Sequence, residues 1–240
     1  MAGVTMLYPG HSAEDDFVAW SADLRRHGIT EPIEVRHTWT GPTDHEMAAL
    51  RALGADDQLH PTAKAAVAAG AAAIVWACTS GSFVDGLEGA RDQAARLAHA
   101  AGVPATSTSL AFVDALHHLD ARRVAIAASY PEPVSRCLSG LLTEAGFEVA
   151  VTASSDVPSG EDAGRWSADR IRQMVDDLGP LDADVVVVPD TALHTAGLLP
   201  QLEADAGRPV LTANQVSVWS GLRLLGRSPI ADGVGSLFRA

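Results

Sequence analysis

The chain has 240 residues, of which 47% are hydrophobic and two are cysteines, and its formal net charge is −13. This length suits one large domain or two small ones, and the acidity makes nucleic acid and anionic membrane surfaces poor partners. Two cysteines and no secretory segment predict a cytoplasmic protein without structural disulfides, and no apolar run is long enough to span a bilayer.

Strand and helix signals alternate along the chain, which is typical of parallel sheets wrapped by helices. Apolar runs predict strands in the first half at residues 4–8, 33–38, 72–78 and 104–108. In the second half they predict strands at residues 122–129, 147–153, 184–190 and 209–213. Helical patterns fill the gaps, among them residues 85–101 and 163–178. The predicted fold class is therefore α/β, with a parallel four-stranded sheet in each half.

The two halves resemble each other in residue type, position and order. Residues 4–9 match residues 124–131, both ending in Tyr-Pro, and residues 76–79 match residues 188–191. Composition alone makes α/β chains look self-similar, but the agreement in order favours a duplication. We predict two pseudo-symmetric lobes, residues 1–119 and 120–240, with the C-terminal tail packing back and an active site in the cleft between them.

Cys78 follows the apolar run at residues 71–77 and begins the stretch Cys78-Thr79-Ser80-Gly81-Ser82. A buried parallel strand that turns into a helix explains this pattern and puts the thiol where open α/β sheets bind ligands. A nearby helix N-terminus would lower the pKa of the thiol. A free cysteine is usually a core residue, yet the polar neighbours Thr79 and Ser80 favour a nucleophile beside a carboxylate-binding turn.

Asp190 stands at the matching position of the second half, after four valines and a proline. Aspartate is a favoured helix N-cap, and a carboxyl group at a strand end can also transfer a proton; the two roles are compatible. We therefore predict that Cys78 and Asp190 are the catalytic residues, one from each lobe.

Further candidates lie beside these two strand ends. Tyr8 and Tyr130 end matching strands, where a phenol can donate to a substrate carboxylate or simply pack under a loop. His11 and His194 follow in the adjoining segments, and an ordinary surface histidine is the alternative for each. The predicted substrate-binding residues are Thr79, Ser80, Tyr130, Thr191, Tyr8, His11 and His194.

The usual cofactor signatures are missing from the sequence. It has no CxxC, HExxH, GxGxxG or Walker motif, and its only lysine, Lys64, is a weak candidate for a Schiff base. We therefore expect neither a cofactor nor a metal ion.

Three segments resemble the aspartate/glutamate racemase superfamily, in particular its branch of maleate cis-trans isomerases and arylmalonate decarboxylases. They are the loop Cys78-Thr79-Ser80-Gly81-Ser82-Phe83, the segment Ala128-Ser129-Tyr130 and the Gly-rich tail at residues 233–238. The resemblance implies cofactor-independent chemistry at a cleft between two lobes, and it is compatible with a homodimer. Members of this group commonly have a second cysteine where this chain has Asp190, and maleate isomerases have an asparagine in the loop at residues 8–12 that this chain lacks.

The resemblance favours a cofactor-independent isomerase of a small unsaturated dicarboxylate, in which the Cys78 thiolate adds to the double bond. The adduct would rotate about the resulting single bond and eliminate the thiolate. One alternative is a decarboxylase or racemase of α-substituted carboxylates that uses Cys78 and Asp190 to handle protons. Another is a non-catalytic dicarboxylate-binding protein.

Overall fold

The computed structural model describes residues 3–239 and contains a strand at each of the eight predicted positions. Residues 1, 2 and 240 of the predicted lobes lie outside this range. The strands are β1 (Gly3–Pro9), β2 (Ile33–Trp39), β3 (Ala71–Trp76), β4 (Ala105–Ser107), β5 (Arg123–Ala128), β6 (Glu148–Ser154), β7 (Val185–Val188) and β8 (Val210–Thr212).

These strands form two four-stranded sheets with equivalent orders, β2-β1-β3-β4 and β6-β5-β7-β8. All neighbouring strands are parallel. The central strands β1 and β7 are buried at every position, because helices cover both faces of such sheets. The α/β prediction is confirmed, and the repeat noted in the sequence corresponds to one sheet in each half.

Helices fill the connections between the strands. They are α1 (Asp15–Arg26), α2 (Met47–Leu53), α3 (Asp56–Ala68), α4 (Ser80–Phe83), α5 (Gly86–Ala101), α6 (Thr108–His118), α7 (Glu132–Glu144), α8 (Gly160–Gly164), α9 (Ala168–Asp176), α10 (Leu199–Ala206) and α11 (Ala213–Leu224). Among the described residues, no helix is long and apolar enough to cross a membrane.

One of the two named helix predictions was right and the other was wrong. The helix predicted at residues 85–101 is α5, which ends at Gly102 in the left-handed conformation (φ +73°) that glycine adopts readily. The helix predicted at residues 163–178 is instead broken into α8 and α9. Ser167 causes the break because its extended backbone and its hydroxyl, which accepts from the N–H of Arg170, start a new helix.

The last long helix, α11, connects the two halves. It packs on α1 and α6 and against strands β1, β3 and β4 of the first sheet. Gly221 permits this close approach, since a Cβ atom there would lie 2.7 Å from Val4 Cγ1. The equivalent helices α6 and α11 also contact each other through the buried Thr108 and Ser217 hydroxyls, 2.7 Å apart.

The C-terminal tail packs back on the body of the protein. The Phe238 ring stacks on Trp20 of α1, with ring centroids 5.8 Å apart. The Val234 carbonyl accepts a hydrogen bond from the Gln215 side chain of α11. The tail therefore covers both α1 and α11.

Candidate active site

The carboxyl ends of the central strands from both sheets meet at one small pocket. Cys78 lies two residues after β3 ends at Trp76, and Asp190 lies two residues after β7 ends at Val188. Five of the predicted site residues line this pocket: Tyr8, Cys78, Ser80, Asp190 and Thr191. The other lining residues are Pro9, Ser12, Thr43, His45, Leu50, Leu53, Gly160 and Ala192.

The pocket is narrow. It offers about 20 Å³ to the centres of water-sized molecules, and a single buried water needs about 10–15 Å³ on this measure. Two segments contribute to its lining on one side, residues 43–45 from the first half and the start of α8 at Gly160 from the second. These segments are joined by hydrogen bonds from the His45 N–H to the Pro158 carbonyl (2.7 Å) and from the Gly160 N–H to the Thr43 carbonyl (3.0 Å).

Cys78 is a buried thiol with few stabilising contacts for a negative charge. The Gly81 N–H lies 3.4 Å from Sγ and the Ser80 hydroxyl 3.9 Å from it. Burial nevertheless raises the pKa of the thiol to about 11, the charge of Asp190 adds to this, and these two contacts offset only part of it. The expectation of a lowered pKa was therefore wrong, because α4 has only four residues and the sulfur is desolvated.

Asp190 accepts hydrogen bonds on both of its carboxyl oxygens. The Ala192 N–H donates to Oδ1 (2.9 Å), and the Ser129 hydroxyl donates to Oδ2. The first contact closes a local turn two residues beyond the aspartate. Asp190 is not a helix N-cap, since α10 begins only at Leu199.

A second buried aspartate, Asp16 of α1, holds the segment that follows Asp190. Its carboxylate accepts from the N–H groups of Thr195 (3.1 Å) and Ala196 (3.0 Å) and from the Asn214 amide (2.9 Å) of α11. Burial raises the pKa of Asp16 and outweighs these hydrogen bonds. Asp16 therefore ties an element of the first half to the loop beside the pocket.

Both tyrosines are buried and already engaged in hydrogen bonds. The Tyr8 hydroxyl donates to the Thr191 carbonyl (3.1 Å) and accepts from the Ala13 N–H (3.1 Å), while Tyr130 donates to the Pro189 carbonyl (3.0 Å). Burial raises the pKa of both phenols. Tyr130 and Thr79 are buried but are not among the lining residues; the Tyr130 ring contacts that of His45, with centroids 4.9 Å apart.

Comparison with known proteins identifies the family. The model of the family described as arylmalonate decarboxylase matches residues 49–238. The chain belongs to the arylmalonate decarboxylase family.

Members of this family and its relatives differ in activity. The chain is 28% identical to the arylmalonate decarboxylase of Bordetella bronchiseptica over 173 residues, which cover 70% of this chain and 72% of that protein. It is 29% identical to a maleate isomerase of Pseudomonas putida over 135 residues. This match covers 56% of this chain and 54% of that protein, so the chain spans about half of that relative's length.

The fold of the whole chain matches solved structures of these enzymes. A maleate cis-trans isomerase of Nocardia farcinica, a mutant with a covalently bound succinylcysteine intermediate, superposes with a TM-score of 0.88 at 22% identity. That match covers 100% of this chain and 99% of the other. The resemblance to this branch of the superfamily is confirmed.

Two predicted site residues of this arylmalonate decarboxylase family member lie away from the pocket lining. His11 is 62% exposed and bonds Glu14 (2.9 Å), and His194 is 39% exposed and bonds Asp15 (2.9 Å). Among the described residues, one group of three side chains is close enough to share a metal ion: His11, Glu14 and His37, with ligand atoms within 4.8 Å. This group is at the surface, outside the pocket lining.

Sequence reasoning missed three residues that belong to the pocket or support it. His45 is 7% exposed and lines the pocket, Thr43 lies in the same loop, and Ser129 binds Asp190. The Tyr-Pro repeat gave a signal for Ser129, because it placed residues 128–130 at a strand end. Nothing in the pattern around residues 40–46 pointed to His45.

Proposed function

We propose that this protein is a cofactor-independent isomerase of a small unsaturated dicarboxylate, with maleate as the reference substrate. The observation that carries the proposal is the position of Cys78: a single thiol lines a pocket built from both halves, opposite a carboxyl group. The maleate isomerases among the relatives support it, as does the succinylcysteine intermediate of the Nocardia farcinica enzyme. We also propose a cytoplasmic location, where free thiols such as Cys78 are kept reduced.

In the proposed reaction the Cys78 thiolate forms a bond to one alkene carbon. The π electrons move to the adjacent carbon and its carboxylate as an enediolate, so the former double bond becomes single and can rotate. Elimination of the thiolate then returns the alkene in the trans form. No redox partner is needed, because the electron pair that leaves the alkene returns to it.

Donors around the pocket would stabilise the enediolate. Ser80, Thr191 and Tyr8 line the pocket, and Thr79 and Tyr130 are buried nearby, Thr79 between Cys78 and Ser80 in the chain and Tyr130 against the His45 ring. In a site with room for about one water, preorganised hydrogen bonds to developing charge contribute several kcal/mol to catalysis, with about 3–4 kcal/mol measured for one donor. Tyr130 would have to exchange its hydrogen bond to Pro189 for one to the substrate.

Intact-mass spectrometry with a panel of unsaturated and malonic diacids tests this proposal. Incubation with maleate is expected to give fumarate and a covalent adduct of one dicarboxylate per chain. The Cys78→Ala variant should form neither, while Cys137→Ala, which changes the half-buried second cysteine on α7, should form both. Full turnover by Cys78→Ala would refute the thiol mechanism.

The second candidate is decarboxylation of an α-substituted malonate. The observation that favours it is the family match together with coverage of 72% of the Bordetella bronchiseptica decarboxylase. In this reaction Cys78 or Asp190 would protonate an enediolate left after loss of carbon dioxide. Deuterated water separates the two reactions, because decarboxylation must leave deuterium on the product α-carbon, whereas thiol addition and elimination need not.

A further inference from the structure

The pocket contains one buried basic side chain, His45, that the reaction above does not use. Its ring lines the same pocket as Cys78 and Asp190. Among the described residues of the lining, it is the only side chain that can carry a positive charge. Because Cys78 and His45 line the same narrow pocket, a dicarboxylate bound at Cys78 would lie within reach of the His45 ring.

The hydrogen bonds of His45 define which nitrogen is free. Nδ1 lies 2.8 Å from the Val157 carbonyl oxygen, which can only accept, so Nδ1 carries the hydrogen. In the neutral ring, Nε2 then keeps a lone pair and can act as a base. The ring edge-on contact with Tyr130, at 4.9 Å between centroids, fixes its plane.

The charges around the pocket require such a base. Burial raises the pKa of the Cys78 thiol to about 11, and a thiol must lose its proton before it can add to an alkene as a thiolate. Asp190 accepts hydrogen bonds from Ser129 and Ala192, and a dicarboxylate substrate would bring two negative charges to the pocket. A group must therefore take the thiol proton and offset the charge of the substrate.

We propose that His45 is the general base for Cys78: it takes the thiol proton when a dicarboxylate enters, and the resulting imidazolium pairs with a substrate carboxylate. This inference rests on the proposed function. The S–H bond breaks as an N–H bond forms on His45, and the sulfur electron pair forms the bond to carbon. On elimination the S–C bond breaks, the alkene re-forms and His45 returns the proton to sulfur, so protons and electrons balance.

Two substitutions separate this chemistry from the structural role of the ring. In His45→Asn the amide can still donate to the Val157 carbonyl, and in His45→Gln an uncharged amide occupies the region of Nε2. Both should keep the wild-type melting temperature within a few degrees and lose turnover of maleate by about 100-fold to 10,000-fold, the range for general acid–base groups. His27→Gln, at an exposed position after α1, is the control and should retain full turnover.

A second readout needs no turnover. Iodoacetate and iodoacetamide alkylate thiols by the same displacement, but only iodoacetate carries a carboxylate. The rate with iodoacetate divided by the rate with iodoacetamide should fall by about tenfold or more in both His45 variants, because the imidazolium that pairs with the carboxylate is lost, and should not change in His27→Gln. If both folded variants keep the wild-type ratio and the wild-type turnover within about threefold, His45 is not the base. A threefold change is smaller than the contribution of one charged hydrogen bond.

The two proposals can fail separately. If wild-type protein forms no adduct with unsaturated dicarboxylates, the isomerase proposal fails. The alkylation ratio still tests His45 in that case, because it depends on the thiol, the imidazole and a carboxylate alone. A drop in this ratio in both variants would support the pairing of His45 with carboxylates, and an unchanged ratio would overturn it.

Discussion

The buried carboxylate of Asp16 offers a test of how the two halves are joined. In Asp16→Ala, the N–H groups of Thr195 and Ala196 lose their acceptor. Asn214 keeps partners, since its amide also contacts the Thr191 and Leu193 carbonyls (both 3.3 Å). The perturbation therefore strands two backbone donors.

The expected loss follows from these contacts. A buried donor without a partner costs about 1–3 kcal/mol, which gives about 2–6 kcal/mol for the pair. Removing the carboxylate also removes the cost of burying it, which offsets part of this loss. That cost is substantial, because the raised pKa of Asp16 shows that desolvation outweighs its hydrogen bonds. We expect the free energy of unfolding to fall by about 2–4 kcal/mol at pH 7.

Urea denaturation followed by circular dichroism measures this change. The neighbouring Asp15→Ala is the matched control, because Asp15 is 75% exposed and its ion pair with His194 should contribute at most about 1 kcal/mol. If Asp16→Ala costs no more than Asp15→Ala, the account of this link between the halves is wrong.

The stability difference between wild type and Asp16→Ala should depend on pH with a definite sign. Because the folded pKa of Asp16 is raised above its ordinary value of 3.8, the folded state binds this proton more tightly than the unfolded state. The stability that comes from protonation of Asp16 is fully present below pH 3.8 and is lost as the pH rises through the pKa of the folded state. The free energy of unfolding of wild type should therefore exceed that of Asp16→Ala by more in mild acid than at neutral pH. Urea denaturation across this pH range measures the difference, and a difference that grew with pH would contradict this explanation.

Two further predictions concern packing and the thiol. Gly221→Ala would place Cβ 2.7 Å from Val4 Cγ1 and 3.1 Å from Val75 Cγ2, so overpacking should cost about 1–3 kcal/mol by urea denaturation. Gly140→Ala, in a helix position with nothing within 4 Å, should instead gain up to about 1 kcal/mol, and equal effects at the two sites would contradict this account. The rate at which iodoacetamide alkylates Cys78 in the absence of substrate should have its midpoint near pH 11, whereas a midpoint at pH 9.0, the ordinary thiol value, would show that the thiol is not desolvated.

Much of the fold could be predicted because it depends on local sequence. An uninterrupted apolar run, such as the valines of β7, is typical of a strand whose two faces are both covered by helices. The alternation of such runs with helical patterns indicates a parallel sheet. The single helix predicted at residues 163–178 failed at Ser167, where one hydroxyl that accepts a backbone N–H outweighed the continuing helical pattern.

The site was predictable only where strand ends determine it. Cys78 and Asp190 were found because the carboxyl ends of central parallel strands point to one edge. The state of the Cys78 thiol was not predictable, since its pKa depends on burial by distant residues. His45 was missed for the same reason: it reaches the pocket through hydrogen bonds to Val157 and Pro158, more than a hundred positions away in the sequence.

The position of α11 has a consequence for how the protein is made. The first sheet is covered in part by residues 213–224, so its apolar surface at Val4 and Val75 stays open during most of translation. The first half therefore cannot complete its core while it leaves the ribosome, although domains usually fold in order from the N-terminus. Nascent chains stalled before α11 should bind chaperones and be cut by protease, and chains stalled after it should not.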